Sequence, residues 1–417
     1  METEQSTQRR KKLPRNVWAV TITSFLTDVS TEMLVNLLPL FLFNVLGVRT
    51  ILIGLIEGFA ELTASLLKLV SGWLSDRFGR RKNLAVFGYG LSTLTKPFLY
   101  FTSSWIGVFF VRFLDRVGKG IRTAPRDALL ADSVDEDTRG LAFGLHRAGD
   151  TAGAVVGLLL ALGAVLLVQG NEQELTRDTF QKVVLLSLIP SALGVVVLAV
   201  GAKEVMFKER RSEPLRLSLR GLGLDFRHFL AIVVLFTLGN SSDAFLILRA
   251  QDTGLSVIEV MGMLITLNLV YSIVSLPAGV LSDRIGRRRV LIAGWLLFAF
   301  VYLGYTFAQS GWQMWLLMLP YGCYYGLTEG VARAFVADLV PQQRRGTAYG
   351  VYNAAIGLAA LPASLIAGLL WQGVGPWEGF GAAAPFFYGA TLALISVLLF
   401  LRRPLGDVER DFHSIEA

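Results

Sequence analysis

The sequence has few of the residues from which catalytic and metal sites are built. Its 417 residues include one cysteine, Cys323, and three histidines, and only 17% of them are charged. A single cysteine excludes an intramolecular disulfide bond. There is no Ser/His/Asp grouping at a useful spacing and no His-x-x-x-His pattern. We therefore expect no enzyme activity, no metal site and no cofactor.

Hydrophobic residues, by contrast, make up 53% of the chain, and its mean hydropathy is +0.55. A soluble protein of this length would be much less apolar. A helix needs about 20 apolar residues to cross a bilayer. Twelve such runs are present, at residues 17–46, 50–74, 84–103, 105–130, 140–168, 183–201, 228–250, 256–281, 290–308, 312–338, 346–371 and 384–401. The sequence therefore predicts an all-α membrane protein with twelve transmembrane helices embedded in the lipid bilayer.

Arginine and lysine are concentrated in alternate loops. The N-terminal tail and the loops after spans two and eight are rich in both, whereas the loops at 102–104 and 308–311 contain neither. Because basic loops stay in the cytoplasm, we expect both termini there, in the inner (plasma) membrane of a bacterium. The first span lacks a small-residue cleavage site, so we expect it to be retained. The net charge of +7 then reflects membrane orientation, and we expect no nucleic-acid partner.

One long polar segment divides the spans six and six. It contains Pro214, two glycines and many charged residues. We predict five parts: a cytoplasmic tail at 1–16, an N-terminal six-helix bundle at 17–201, a cytoplasmic linker at 202–226, a C-terminal six-helix bundle at 227–402 and a cytoplasmic tail at 403–417.

A charged turn occurs in both halves. The segment GWLSDRFGRRK at 72–82 recurs as GVLSDRIGRRR at 279–289, and a shift of about 207 positions also brings Ala131-Asp132 close to Ala337-Asp338. Each copy lies between two apolar runs, so one structural unit is used twice. Parallel repeats of six spans are typical of transporters, whose binding cavity lies near the midplane where the halves meet.

This turn resembles the G-x-x-x-D-R-x-G-R-R motif of the major facilitator superfamily, and the resemblance covers the chain except for its tails. It implies a fold of two pseudo-symmetric six-helix bundles, alternating access and a monomeric state. By resemblance, the turn and acidic residues at the end of span four form a conformational latch, with a mirror copy in the second half. The latch residues are Gly72, Asp76, Arg77, Gly79, Arg80, Asp127, Asp132, Asp283, Arg287 and Asp338.

Many ionisable residues lie inside the predicted spans. Each costs at least about 2.5 kcal/mol at the bilayer centre, so such residues usually face a water-filled cavity. Asp28 and Glu32 lie one turn apart in span one, and Glu61 lies near the middle of span two. We interpret these three as candidates for proton coupling. The segment 116–120 in span four resembles the superfamily's R-x-x-Q-G motif, with lysine in place of glutamine.

Other polar residues in the spans are candidates for substrate binding. They are Asn36, Arg112, Arg116, Lys119, His146, Arg147, Asp150, Asp243, Asn268, Tyr325, Glu329, Arg333 and Asn353. Glu329 and Arg333 are equally compatible with a structural ion pair, and His146 with a structural contact. For Arg122 and Arg126, contact with solvent or lipid headgroups is the favoured interpretation. In span five, glycines at 149, 153 and 157 permit the close approach of another helix.

These features favour a proton-coupled secondary active transporter that moves a small organic solute by alternating access, by efflux or antiport. One alternative is an organic-anion transporter, by symport or exchange, in which Arg112 and Arg116 bind the anion. Another is a lipid flippase on the same fold. A receptor or scaffold would not need charges at this depth.

Overall fold

The computed structural model describes residues 13–78, 80–205, 221–341 and 344–402, apart from the side chains at 76–78 and 136–137. These ranges contain twelve long helices. Those of the first half are α1 (Arg15–Val35), α2 (Thr50–Phe78), α3 (Arg81–Thr95), α4 (Trp105–Asp132), α5 (Glu136–Val168) and α6 (Arg177–Gly201). Those of the second half are α7 (Leu224–Gly239), α8 (Val257–Ile285), α9 (Arg287–Phe307), α10 (Gly311–Asp338), α11 (Arg345–Gln372) and α12 (Ala384–Arg402). The predicted C-terminal tail, most of the N-terminal tail and most of the linker lie outside the described residues.

Three of the helices are interrupted and then continue. α1 is prolonged by helical turns at Leu38–Leu40 and Phe41–Val45, α3 by Phe98–Phe101 and α7 by Asp243–Asp252. Prolines at 39 and 97 lie at the first two interruptions. A proline has no backbone N–H and clashes with the preceding turn, which explains these breaks.

Nine of these helices are long and apolar enough to cross a membrane by length and composition, within the described ranges. The others are α3, α4 and α10. α3 has only 15 residues before its break, α4 carries several charged residues, and α10 is rich in tyrosine and tryptophan. The expected all-α fold with twelve helices is confirmed.

The repeat is visible in the lengths of the helices. α2 and α8 each have 29 residues, and α8 begins 207 positions after α2. α4 and α10 each have 28 residues, but α10 begins 206 positions after α4. The offset between corresponding helices thus changes from 207 to 206 positions at the charged turn, since α3 begins at Arg81 and α9 at Arg287. Corresponding residues beyond this turn are therefore 206 positions apart.

Helix packing follows the repeat. In the first half α1 packs against α5 and α6, and α4 against α2 and α3; in the second half α10 packs against α8 and α9, and α12 against α7 and α9. The glycines of α5 contact α1, since Cβ atoms on Gly153 and Gly157 would lie 2.5 Å from the carbonyl oxygens of Phe25 and Val29. Between the halves, α2 packs against α11 and α5 against α8.

We call the side of the molecule that bears both charged turns the motif side. On the opposite side, the ends of α2 and α11 are joined: Thr50 donates from Oγ1 to the carbonyl of Gly368 at 3.0 Å, and Arg49 donates to that of Gln372 at 2.8 Å. The fully buried side chains of Leu37 and Phe41 belong to the apolar core there. The halves are therefore in contact on the side opposite the motif.

Candidate functional site

A cavity of about 1070 Å³ lies between the two halves, and it extends to the motif-side ends of α4, α8 and α9. Its walls come from α1, α2, α4 and α5 in the first half and from α8 to α11 in the second. Among the described residues, acidic and basic side chains on its walls are equal in number. The acidic ones are Asp28, Glu32, Glu61, Asp127, Asp150, Asp283 and Glu329. The basic ones are Lys68, Lys119, Arg122, Arg126, Arg147, Arg287 and Arg333, with His146 beside them.

The three predicted proton-coupling residues all line this cavity. Asp28 and Glu32 extend from α1 and Glu61 from α2. Glu32 accepts a hydrogen bond from Asn36 Nδ2 at 2.9 Å, although Asn36 itself does not line the wall. In the described part of the chain, Asp28 and Glu61 have no basic group within 4.0 Å. Among the described residues, both carboxylates therefore face the cavity without a directly contacting basic group.

The two arginines of α4 that were predicted to bind an anion, Arg112 and Arg116, do not line the cavity. Arg112 is 5% exposed and makes a two-pronged ion pair with Glu57 of α2, with N–O distances of 2.8 and 3.2 Å. Its charge is thus already neutralised inside the first half. Arg116 is 7% exposed, and its Nε has no hydrogen-bond partner among the described residues. The basic residues of α4 are therefore divided: Arg112 and Arg116 lie inside the first six-helix bundle, and the others line the cavity.

The other basic residues of α4 line the cavity. Lys119 lies near the middle of the helix and is exposed on its wall. Arg122 is only 6% exposed, with its guanidinium 4.3 Å from the centre of the Tyr89 ring. The expectation that Arg122 contacts solvent or headgroups is wrong, because the tyrosine ring covers its guanidinium. Arg126 pairs with Asp127 at 2.8 Å and donates to Ser24 Oγ at 3.0 Å.

A cluster of polar side chains crosses from α5 to the second half. Arg147 donates to the Tyr271 hydroxyl at 2.7 Å and to Glu329 at 3.4 Å. Tyr271 in turn donates to Glu329 at 2.7 Å, and Arg333 donates to the same carboxylate at 3.2 Å. Glu329 and Arg333 therefore form the expected pair, but as part of a contact between the halves.

His146 and Asp150 lie one turn apart on α5. His146 is 4% exposed, and its Nε2 is 3.7 Å from Asp150, too far for a hydrogen bond. Neither ring nitrogen has a hydrogen-bond partner in the described structure. Both residues line the cavity, although the two ring nitrogens of His146 are themselves buried.

The remaining candidates in the second half are divided. Asn268 and Asn353 line the cavity, but Asp243 and Tyr325 do not. Asp243 instead accepts hydrogen bonds from the hydroxyls of Tyr321 at 3.0 Å and Tyr325 at 3.2 Å. These tyrosines belong to a group of aromatic rings between α9 and α10 that contact one another in tilted and edge-to-face arrangements. Asp243 is held inside the second half.

In the second half, Arg287 brings the three predicted latch residues of that half together. Arg287 donates to Asp338 at 2.6 Å and to the carbonyl of Ala334 at 2.7 Å, and lies 3.5 Å from Asp283. All of these contacts lie within the second half.

In the first half, Arg81 takes the corresponding place. It contacts Asp132 and donates to the carbonyl of Ala128 at 3.2 Å. Arg80, the predicted partner, is the residue before the start of α3 and is exposed. Gly72 packs against Ala124. The side chains of Asp76 and Arg77, and Gly79 as a whole, lie outside the described residues.

Several residues of this region were not among the predicted site residues. Glu57 neutralises Arg112, Lys68 and Tyr271 line the cavity, and Lys96 is buried between α3 and α1, where it donates to Ser30 Oγ at 2.6 Å. The signal for Lys68 was present, because it shares one face of α2 with Glu61. The signal for Lys96 was a lysine next to a proline in an apolar run.

The model of the family described as Major Facilitator Superfamily matches residues 20–239 and 228–415. The chain belongs to the major facilitator superfamily. It is therefore a multi-pass membrane transporter, and the prediction that it is not an enzyme is confirmed by this membership. The resemblance inferred from the charged turn is also confirmed.

Relatives match over nearly the whole chain. An uncharacterised MFS-type transporter of Methanocaldococcus jannaschii is 36% identical over 404 residues, which cover 95% of this chain and 97% of the relative. The multidrug resistance protein MdtG of Enterobacter lignolyticus is 24% identical over 419 residues, covering 96% and 97%. Among solved structures, a mutant form of the nucleoside transporter NupG has a TM-score of 0.77 at 13% identity, covering 93% and 99%. That likeness shows the two-bundle fold of the superfamily.

Proposed function

We propose that this transporter moves a small polar organic solute by alternating access and couples its movement to protons. The observation that supports this most directly is the pair of carboxylates, Asp28 and Glu61, that face the central cavity with no basic group within 4.0 Å in the described part of the chain. Uncompensated charges at this depth are costly, so they favour a role in binding protons or solute.

Protonation of one of these carboxylates changes the charge of the whole cavity. Because acidic and basic side chains are equal in number on its walls, one added proton leaves an excess of one positive charge. The affinity of the cavity for a charged solute then differs between the two protonation states. A ligand that binds one conformation more tightly shifts the equilibrium towards it, which couples proton and solute.

The proposed orientation follows the distribution of basic residues. We place the motif side in the cytoplasm of a bacterium, with both termini there, so that the cavity opens inward in this conformation. Two units at 17–201 and 227–402, joined by the linker 202–226, rock about the cavity. The protein works as a monomer, and the charged turns latch the outward-facing state when the motif-side ends of the halves approach.

The test is a proton-flux assay in proteoliposomes that contain the pH dye pyranine. A panel of carboxylates, sulfonates, phosphate monoesters, amino acids and lipophilic cations is added outside. At least one class should move protons, and Asp28→Asn or Glu61→Gln should abolish this flux while exchange of labelled solute continues. Asp178→Asn, a carboxylate on α6 that pairs with Lys182 away from the cavity, should leave the flux unchanged. Solute transport without proton movement, or an undiminished flux in both cavity variants, would refute the proposal.

Export of lipophilic compounds in exchange for protons is a second candidate. It is favoured by the name of the relative from Enterobacter lignolyticus, a multidrug resistance protein. The cavity gives it less support, because fourteen formal charges among the described wall residues would have to be covered by an apolar ligand. A proton flux driven by lipophilic cations alone in the same assay would favour this candidate.

A further inference from the structure

Three basic residues on one wall of the cavity differ from the rest. Arg126, Arg147, Arg287 and Arg333 each have an acidic partner within 4.0 Å. Lys68, Lys119 and Arg122 also line the cavity, but no carboxylate lies within that distance of them in the described part of the chain. These three residues, which we call the cationic wall, are the unpaired cations of the cavity within the described ranges.

The packing of α2 on α4 brings the two lysines to the same level. A Cβ on Gly120 would lie 2.5 Å from Leu67 Cβ, so the backbones of the two helices approach closely there. Ser71 Oγ donates to the carbonyl of Gly120 at 2.8 Å and fixes the register. Lys68 and Lys119 are the chain neighbours of these contact residues. They therefore extend into the cavity from adjacent points of one wall.

Arg122 completes this wall one turn further along α4. Its side chain is 6% exposed, and the ring of Tyr89 covers its guanidinium. Its Nη1 atom is buried and has no hydrogen-bond partner among the described residues. The guanidinium is not open to the cavity, but no carboxylate in the described part of the chain lies within 4.0 Å of it, so its positive charge adds to the attraction of this wall for an anion.

We propose that the cationic wall binds an anionic group, a carboxylate, sulfonate or phosphate, of the transported solute. This inference rests on the proposed function and specifies its substrate class. The wall offers two ammonium groups as hydrogen-bond donors and adds the positive charge of the covered guanidinium, which suits an anionic group with several acceptor oxygens. The cavity is as large as the largest typical small-molecule sites, so the solute can carry an organic body besides this group.

The proposal also gives the sign of the coupling. An anion on the cationic wall is repelled by the carboxylates of the cavity, and protonation of Asp28 or Glu61 removes part of that repulsion. Proton and anion therefore favour each other's binding and travel in the same direction. The charged or titratable groups on the cavity walls around Asp28 are Glu32, Glu61, Lys68, Lys119, Arg122, Arg126, His146, Asp150, Glu329 and Arg333, and the buried Lys96 also interacts electrostatically with Asp28.

The experiment measures thermal stabilisation of the purified full chain by benzenesulfonate, which keeps its charge at every pH used, and by phenyltrimethylammonium, a cation of similar size. We expect dose-dependent stabilisation by the sulfonate only, with an affinity that is higher at about pH 6 than at about pH 8. Lys119→Gln or Arg122→Gln should weaken that affinity about tenfold or more. The Asp28→Asn, Glu61→Gln double variant should bind with little dependence on pH.

Three controls separate a lost contact from a damaged protein. Lys119→Arg keeps the charge and should keep most of the affinity. Lys182→Gln removes a lysine that pairs with Asp178 on α6, outside the cavity, and should bind like the wild type. Arg333→Gln removes a cavity cation that already has a partner, so its effect should be smaller than that of Lys119→Gln.

The proposal is overturned if the sulfonate does not stabilise the protein, if the ammonium compound stabilises it instead, or if Lys119→Gln and Arg122→Gln both bind the sulfonate normally. Sulfonate binding without any proton flux would leave the cationic wall in place and refute the proposed coupling. Proton flux driven by cations alone would support the proposed coupling and refute anion binding by the cationic wall. The two proposals therefore fail in distinguishable ways.

Discussion

In the first half of the protein Glu57 of α2 pairs with Arg112 of α4, whereas the corresponding positions of α8 and α10 hold Leu264 and Met318. The ion pair has an N–O distance of 2.8 Å and is nearly buried. Leu264 and Met318 are 3% and 0% exposed and belong to the apolar core. Corresponding pairs of helices can thus pack through an ion pair, as α2 and α4 do, or through apolar side chains, as α8 and α10 do.

The difference extends along both helices. Charged residues of the first half correspond to neutral residues of the second in the pairs Glu61 and Asn268, Lys68 and Ser275, Lys119 and Tyr325, and Arg122 and Thr328. All four of the charged residues line the cavity. Since the repeat folds without these charges in its second copy, the fold does not require them. They are better explained by what the cavity binds.

The largest effect is expected from breaking the buried pair. Glu57→Gln would remove the two-pronged partner of Arg112, which is 5% exposed, and leave it the longer contact with Asp115 at 3.8 Å. We expect a loss of about 3–5 kcal/mol in stability, measured as a large fall in the apparent melting temperature in mild detergent. The double variant Glu57→Leu, Arg112→Met copies the second half and should recover most of that loss. A double variant as unstable as the single one would show that the two copies are not interchangeable.

Two of the contacts between the halves also differ in the residues that form them. α2 and α11 meet through small residues: a Cβ on Gly54 would collide with the carbonyl of Ser364, and one on Gly58 would lie 2.8 Å from Leu361 Cα. In α8, the positions that correspond to these glycines hold Met261 and Ile265. α8 contacts α5 instead, through the Arg147 cluster. We call the contact between α2 and α11 the close seam, because the two backbones pack directly against each other there. We call the contact between α5 and α8 the polar seam, because it includes long polar side chains.

An intermediate effect is expected from widening the close seam. Gly54→Ala forces the backbones of α2 and α11 apart, and overpacking of this kind costs about 1–3 kcal/mol. The apparent melting temperature should fall, and the halves should separate more readily on the side opposite the motif. Gly163→Ala on α5 is the matched control, because nothing lies within 4 Å of its added Cβ. It should be neutral or slightly stabilising. Equal effects at both sites would mean that the seam is not closely packed.

The fold was predictable from the sequence because each apolar run shows where a helix crosses the membrane, and the repeated turn shows that one structural unit is used twice. The start of α6 was predicted six residues too late, at 183 instead of Arg177. Its first turn is polar and is capped by Thr176, which accepts a hydrogen bond from the N–H of Thr179 at 3.3 Å. Hydropathy does not detect a turn of this kind, whereas a capping signal does.

The site was predictable in part, and its errors on α4 have one cause. Depth in the membrane correctly selected Asp28, Glu32 and Glu61 as residues of a cavity wall. It also selected Arg112, which lies at a similar depth but is covered by α2. Helical periodicity places residues on a common face, but it does not tell which neighbouring helix covers each part of that face. Only the packing of α2 on α4 separates Arg112 from Lys119.

The smallest effect on stability is expected at the polar seam between α5 and α8. The side chains of Arg147 and Glu329 are 56% and 35% exposed, so their pair is screened by water and is worth at most about 1 kcal/mol. Arg333 also lies within 3.2 Å of Glu329 and can compensate for the loss of Arg147. Arg147→Gln should therefore leave the melting temperature nearly unchanged. Because this contact joins the two halves, the variant should instead change how often they separate, measured as the distance distribution between spin labels on α5 and α8. A large fall in melting temperature with an unchanged distribution would show that Arg147 supports the fold and that the two seams do not differ in kind.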